Sequence, residues 1–161
     1  MFKHSNPFSL EAAEEAMQAP DPNGPNVLFE IGPDGQFPTR GSGEAAGLDL
    51  YAAHDVEIPG WGKVKVRLDI KSEFRPGWVG LILDRSGLGS KGITHLAGVI
   101  DSDFRGEWLV ALFNANYGSF QIEKGDRIAQ VVFTPCWIGE PKVGNVGVTN
   151  RGEGGFGSTG R

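Results

Sequence analysis

Several short polar clusters in this 161-residue chain hold side chains suited to a phosphate or a proton. Arg85-Ser86-Gly87 is one. Arg offers a planar fork of donors that matches phosphate oxygens. Ser adds a hydroxyl, and Gly lets backbone N–H groups approach an anion closely. An ordinary turn has the same composition. The segment Gly98 to Gly106 carries Asp101 and Asp103. Two residues apart on an extended segment, they share a face, so one suits a general base and the other a structural acceptor. The same residues also suit a β-hairpin with a solvated acidic turn. Asp49, between Leu48 and Leu50, points inward toward a metal or an arginine, or outward to water. In Gly125 to Gln130, Asp126 and Arg127 read as a surface ion pair of little worth. Gln130 lies among apolar neighbours, where a buried amide needs a partner.

The last cluster is the tail, residues 144–161. Its glycines leave little to pack, so it cannot offset its own ordering entropy. Arg151, Phe156, Ser158 and Thr159 sit among them. A cation, an aromatic ring and two hydroxyls would serve a clamp on a phosphate and a base, and a disordered terminus would look the same. Two stretches match G-x-G-x-x-G, one at Gly87, Gly89 and Gly92, the other at Gly152, Gly154 and Gly157. That fingerprint needs a strand before it and a helix after it. Ile93-Thr94-His95-Leu96 cannot open an amphipathic helix, and nothing follows the second stretch, so both are rejected.

Composition narrows the class. Net charge is −5, which argues against a polymeric nucleic acid as partner, although local arginines can still bind a small phosphate. The single cysteine, Cys136, builds no disulfide framework. His4, His54 and His95 have no metal spacing. No apolar run approaches the ~20 residues of a membrane helix, and no signal peptide is evident. A soluble cytoplasmic protein is expected.

The elements that must position these residues are strands. Residues 1–26 read as an appendage, with a short helix over Leu10 to Ala19 capped by Ser9, then a Pro-rich linker. Val27 to Ile31 begins a series of β-like runs. Lys63 to Ile70 alternates strictly, placing Val64, Val66, Leu68 and Ile70 on one face. Trp78 to Leu83 and Trp108 to Phe113 are nearly all apolar, as strands buried on both sides would be. Phe120 to Ile122 and Arg127 to Phe133 complete the set. Gly, Pro and Asn punctuate the runs roughly every ten residues, the spacing of an all-β barrel or sandwich. One all-β domain is expected over residues 27–143.

Taken in order, the clusters resemble the five motifs of the trimeric dUTPase family. Ala45 to Ala53 resembles the first, Asp84 to Leu88 the second, Gly98 to Gly106 the third and Gly125 to Gln130 the fourth. Arg151 to Gly160 resembles the fifth, which is the most distinctive. The resemblance covers about residues 27–160. It implies a jelly-roll-like β-barrel, a homotrimer with active sites shared between subunits, and a Gly-rich tail that closes over bound nucleotide. It implies hydrolysis of dUTP to dUMP and pyrophosphate with Mg²⁺, which limits uracil in DNA and supplies dUMP.

By the same resemblance Asp101 is the general base for water attacking the α-phosphorus. Asp49 acts on the metal through water. Arg85, Ser86, Gly87 and Gln130 hold phosphate oxygens, and Arg151, Ser158 and Thr159 grip the outer phosphates. Phe156, followed by Gly157, stacks on uracil. The backbone of a hairpin from His95 through Gly98, Val99 and Ile100 to Asp101 reads the uracil edge, and Phe104 excludes a ribose 2′-hydroxyl. Three positions depart from the family pattern: Phe104 replaces Tyr, Asp84 replaces Pro, and His95 replaces Asn. Two other readings stand beside this one. A dCTP deaminase shares the fold, but the Phe156-containing tail argues against it. A regulatory protein that binds nucleotide and then a partner is favoured less by the intact Asp101, Arg85 and Arg151, which leave a second, signalling role open.

Overall fold

The computed structural model describes residues 21–154. The expected appendage helix, Leu10 to Ala19, lies outside them. Eleven strands account for nearly all regular structure among the described residues. They are β1 (Leu28–Ile31), β2 (Leu48–Tyr51), β3 (Val56–Ile58), β4 (Lys63–Arg67), β5 (Ile70–Glu73), β6 (Trp78–Leu83), β7 (Ile93–His95), β8 (Val99–Asp101), β9 (Leu109–Asn114), β10 (Phe120–Ile122) and β11 (Arg127–Pro135). A single four-residue helix, α1 (Ser86–Gly89), follows β6. No described helix is long and apolar enough to cross a membrane.

The strands pair antiparallel in four sheets: β2-β11-β6-β8, β4-β9-β7, β1-β5 and β10-β3. Among the described residues none of the sheets closes on itself. They share one apolar core in which Trp108, Leu50, Ile58, Leu68, Leu112, Ile128 and Val131 are fully buried. Removing one such Leu side chain costs about 2–5 kcal/mol.

Three expectations change. Lys63 to Ile70 is two strands, because Asp69 takes a left-handed φ of 52° and breaks the run. Asp69 bends there to serve distant backbone. Its carboxylate accepts from Asp34 N at 2.9 Å, its carbonyl from Gly32 N at 2.8 Å, and its own N–H donates to Glu107 Oε1 at 3.2 Å. Leu68 and Ile70 remain in the core, while Val64 is half-buried. In β6 only Gly80 and Ile82 are buried, and Leu83 is 42% exposed, so that strand covers one face. His95 to Asp101 is not a hairpin either. β7 pairs with β9 and β8 with β6, so the segment crosses between two sheets.

The Pro-rich stretch is anchored from residue 21 onward. Gly24 N donates to Asp21 O at 3.0 Å, and Arg75 donates through its N–H to Pro25 O at 2.9 Å. Beyond Cys136 the described chain is almost wholly exposed, with Trp137, Ile138, Val143, Val146 and Val148 all open to solvent.

Candidate active site

The site grows from β11, the centre of the largest sheet. Gln130 on β11 lies opposite Asp49 on β2 and, on its other side, opposite Leu83 on β6. Asp84 and Arg85 follow Leu83 directly, so pairing alone brings Asp49, Gln130 and Arg85 to one end of the sheet. A register shift between Arg127 and Ala129 marks a bulge in β11. Bulges redirect side chains, and here Ile128 and Ala129 are both buried while Arg127 is free to turn toward Asp49.

Asp49 is buried and bridges two arginines. Arg85 Nε donates to Oδ1 at 2.8 Å, and Arg127 Nη1 donates to Oδ2 at 3.2 Å. Arg85 Nη1 also donates to Arg127 O at 3.2 Å. Two cations on one anion leave this corner positive, which suits an anion of several charges. The cluster opens on a cleft of about 230 Å³ lined by Gly47, Asp49, Arg85, Ser86, Arg127 and Gln130. A Cβ on Gly87 would meet nothing within 4 Å, so the backbone there is open. The loop before β2 is fixed by Arg40, which donates to Ala45 O and Ala46 O, and by Asp49 N donating to Thr39 O at 2.7 Å.

Arg127 thus pairs with Asp49 and not with its neighbour Asp126, whose carboxylate accepts from Glu123 N at 2.9 Å. The Gln130 amide finds its partner, donating through Nε2 to Asp84 O at 2.9 Å.

Asp101 stands elsewhere. It ends β8 opposite Val79, near the start of β6, whereas Arg85 follows the end of β6. From Val79 to the end of β6 at Leu83 is about 13 Å of strand, and Arg85 lies two residues beyond. Asp103 is in the turn after β8, so the two carboxylates do not share the face expected of an extended segment. Phe104 N donates to Asp101 O at 3.1 Å, and Arg105 Nη1 donates to Ser102 O at 2.8 Å, closing that turn. Phe104 is 41% exposed, its ring over Gly106, where a Cβ would lie 2.5 Å from the ring. Gly98 O accepts from Ile82 N at 2.7 Å, Val99 is exposed, and Ile100 is buried. Arg151 is exposed and donates to Gly154 O at 2.9 Å. Phe156, Gly157, Ser158 and Thr159 lie outside the described residues.

Sequence reasoning gave Asp84 no role. Its carboxylate accepts from Thr94 Oγ1 at 2.6 Å and from His95 N and His95 Nδ1, each at 2.7 Å. Burial works to raise its pKa, but the bonds from Thr94 and His95 together outweigh it and hold the carboxyl below the ordinary value.

The metal implied by the motifs can be tested against these donors. Among the described residues no three His, Cys, Asp or Glu side chains converge on one point. Asp49 is the carboxylate in the cleft. An ionised carboxylate has about four lone-pair sites, and the two arginines take two. The rest suit contact through water with a cation held mainly by phosphates, as Mg²⁺ prefers.

Comparison with known proteins agrees with this geometry. The dUTPase family model matches residues 34–160. Deoxyuridine 5'-triphosphate nucleotidohydrolase of fowl adenovirus A serotype 1 is 37% identical over 157 residues, 96% of this chain and 88% of that protein. The Candida albicans enzyme of the same name is 47% identical over 133 residues, 80% of this chain and 84% of that protein. The solved Staphylococcus bacteriophage 80alpha dUTPase with dUPNHPP superposes with a TM-score of 0.79 at 28% identity, covering 84% of this chain and 98% of that one. With a family match across most of its length, this chain belongs to the dUTPase family.

Proposed function

We propose that this protein hydrolyses dUTP to dUMP and pyrophosphate. The observation that carries the proposal is the positive cleft where Asp49 holds Arg85 and Arg127 beside Ser86 and Gln130. Arg85, Ser86, the Gly87 backbone and Gln130 bind phosphate oxygens. Asp49 would hold Mg²⁺, and the ion would supply charge neutralisation and a fixed triphosphate shape. Asp101 takes the proton from a water whose oxygen attacks the α-phosphorus in line. The bond from that phosphorus to the bridging oxygen breaks, and pyrophosphate leaves.

The spacing of Asp101 and Arg85 along β6 supports a site built from more than one chain. We assign the assembly as a homotrimer of jelly-roll-like barrels, each chain giving its phosphate cluster to one site and its Asp101 to another. The exposed apolar residues from Trp137 to Val148 offer surface for a neighbouring chain to cover. The backbone from Gly98 to Ile100 reads uracil, and Phe104 faces the deoxyribose. Arg151, Phe156, Gly157, Ser158 and Thr159 close the site as an arm. Dilution of uracil in the DNA precursor pool and supply of dUMP follow from that reaction, in the cytoplasm.

The test is pyrophosphate release from dUTP, dTTP, dCTP and UTP, each with Mg²⁺ and with chelator. Fast, Mg²⁺-dependent release from dUTP alone is expected. Equal turnover of dTTP or UTP would refute the assigned selectivity. A second role is favoured by the 80alpha relative, a phage dUTPase described as controlling transfer of virulence genes by a G protein-like mechanism. A nucleotide-dependent protein partner, captured with and without residues 1–26, tests that reading.

A further inference from the structure

We infer that Asp84 is a positioning residue that pins His95, and through it the loop that reads the base, to the strand end that presents Arg85. The inference rests on the reading of the chain as a dUTP hydrolase. Three donors from two successive residues converge on the Asp84 carboxylate: Thr94 Oγ1, His95 N and His95 Nδ1. On the other side its carbonyl is held by Gln130 Nε2 at 2.9 Å. One residue therefore joins β7, β11 and the start of the phosphate cluster.

An ionised carboxylate only accepts hydrogen bonds. The 2.7 Å contact to Nδ1 then requires the proton of His95 to sit on Nδ1, which fixes the tautomer and the ring plane. The held ring lies against Gly98, where a Cβ would be 3.3 Å from His95 Cδ2. That Cβ would also be 2.5 Å from Ile82 O, so the close approach of the loop to β6 depends on glycine. Ile82 N donating to Gly98 O at 2.7 Å is the second fastening, and Leu96 N donating to Ala111 O at 2.9 Å is the third.

The loop from Leu96 to Val99 is otherwise exposed, with Val99 66% open, and has little burial to hold its shape. The Asp84 side chain is 37% exposed. A surface ion pair there would contribute little. Several short bonds on one carboxylate act on orientation instead, and charge-assisted geometry is the kind that fixes direction. Asp84 and His95, the two departures from the family pattern in this region, are thus partners.

The test uses the full chain and the variants Asp84→Ala, Asp84→Asn, His95→Ala and the Asp84→Ala/His95→Ala double. For dUTP, Asp84→Ala should raise KM about tenfold or more, the worth of a hydrogen bond to a charged group, with a smaller fall in kcat. Its preference for dUTP over dTTP should fall as well. Asp84→Asn should stay within about threefold of wild type, since its Oδ1 still accepts from His95 and its amide can donate to the Thr94 hydroxyl. The double variant should be no worse than Asp84→Ala, because partners in one contact are not additive. Ring ¹⁵N shifts should report His95 protonated on Nδ1 in wild type and not in Asp84→Ala.

Wild-type KM and selectivity in Asp84→Ala would overturn the inference, as would an Asp84→Asn variant as impaired as Asp84→Ala, or additive losses in the double. If Asp84→Ala fails to fold, His95→Ala must raise KM more than it lowers kcat, or the inference falls. Should the wild-type protein release no pyrophosphate from dUTP, the hydrolase reading fails, and the ¹⁵N result alone still decides whether Asp84 sets the ring of His95.

Discussion

Two inactive variants of this protein should restore each other when mixed. Arg85→Ala removes the proposed phosphate ligand beyond one end of β6, and Asp101→Asn removes the proposed general base near the other. They lie toward opposite ends of β6 in a single chain, and in the proposed trimer each site takes them from different chains. In trimers assembled at random from equal amounts of the two variants, half the chains carry an intact Arg85. The other half carry an intact Asp101. A site is whole when its Arg85 donor is the first kind and its Asp101 donor the second, a chance of one half times one half. The mixture should recover about a quarter of wild-type activity. The assay is pyrophosphate release after co-refolding or subunit exchange, against each variant alone. If the mixture stays as inactive as its components while native mass spectrometry shows mixed trimers, both groups come from one chain and the shared site is wrong.

Asp101→Asn alone should keep dUTP affinity and lower kcat by roughly 10²–10⁴, the usual worth of a general base; near-normal single-turnover rates would move the role to another residue. Deleting residues 150–161 should cut kcat/KM sharply while sedimentation still shows the trimer, and unchanged kinetics would remove the closing arm. The Asp84 pKa lies below the ordinary 3.8 in the folded protein, so its contribution to stability is complete above the unfolded value and is lost as pH falls through the folded one. Urea midpoints from pH 3 to 6 should show wild type above Asp84→Asn near pH 6, with the gap closing below about pH 4. Gly98→Ala, whose Cβ would lie 2.5 Å from Ile82 O, should lower Tm by several degrees for a cost of 1–3 kcal/mol on overpacking, read by calorimetry.

The strands were legible where burial imposes a period. Val66, Leu68 and Ile70 enter the core as their spacing requires, whereas Trp108 to Phe113, expected to be buried on both sides, alternates, with Val110 and Leu112 buried and Leu109 exposed. β3 escaped notice, whereas the equally short β10 was expected from Phe120 to Ile122. The break at Asp69 was also hidden, because its cause lies at residues 32, 34 and 107 and not in the local pattern. The candidate site followed the same division. Asp49, Arg85, Ser86 and Gln130 stood out by type, and the structure brings them to one cleft. The partner of Arg127 is 78 residues away, and local reading paired it with the adjacent Asp126 instead. Asp84 looked like a bare departure because its partners, Thr94 and His95, become visible only once β7 is folded back against the residue after β6.

The place of β11 in the sheet also governs when the molecule can form. It is the last strand among the described residues, yet it lies between β2 and β6. During synthesis β2 leaves the ribosome without a partner and waits until residue 135 has emerged. Until then Asp49 and Arg85 are not aligned by Gln130. Closure over such a long stretch of chain is slow, in the millisecond-to-second range typical of non-local β pairing. It also aligns the phosphate cleft, so a chain that ends before β11 has no such cleft. It has instead an interval of open strand edges, in which crowding by other nascent copies favours aggregation over assembly.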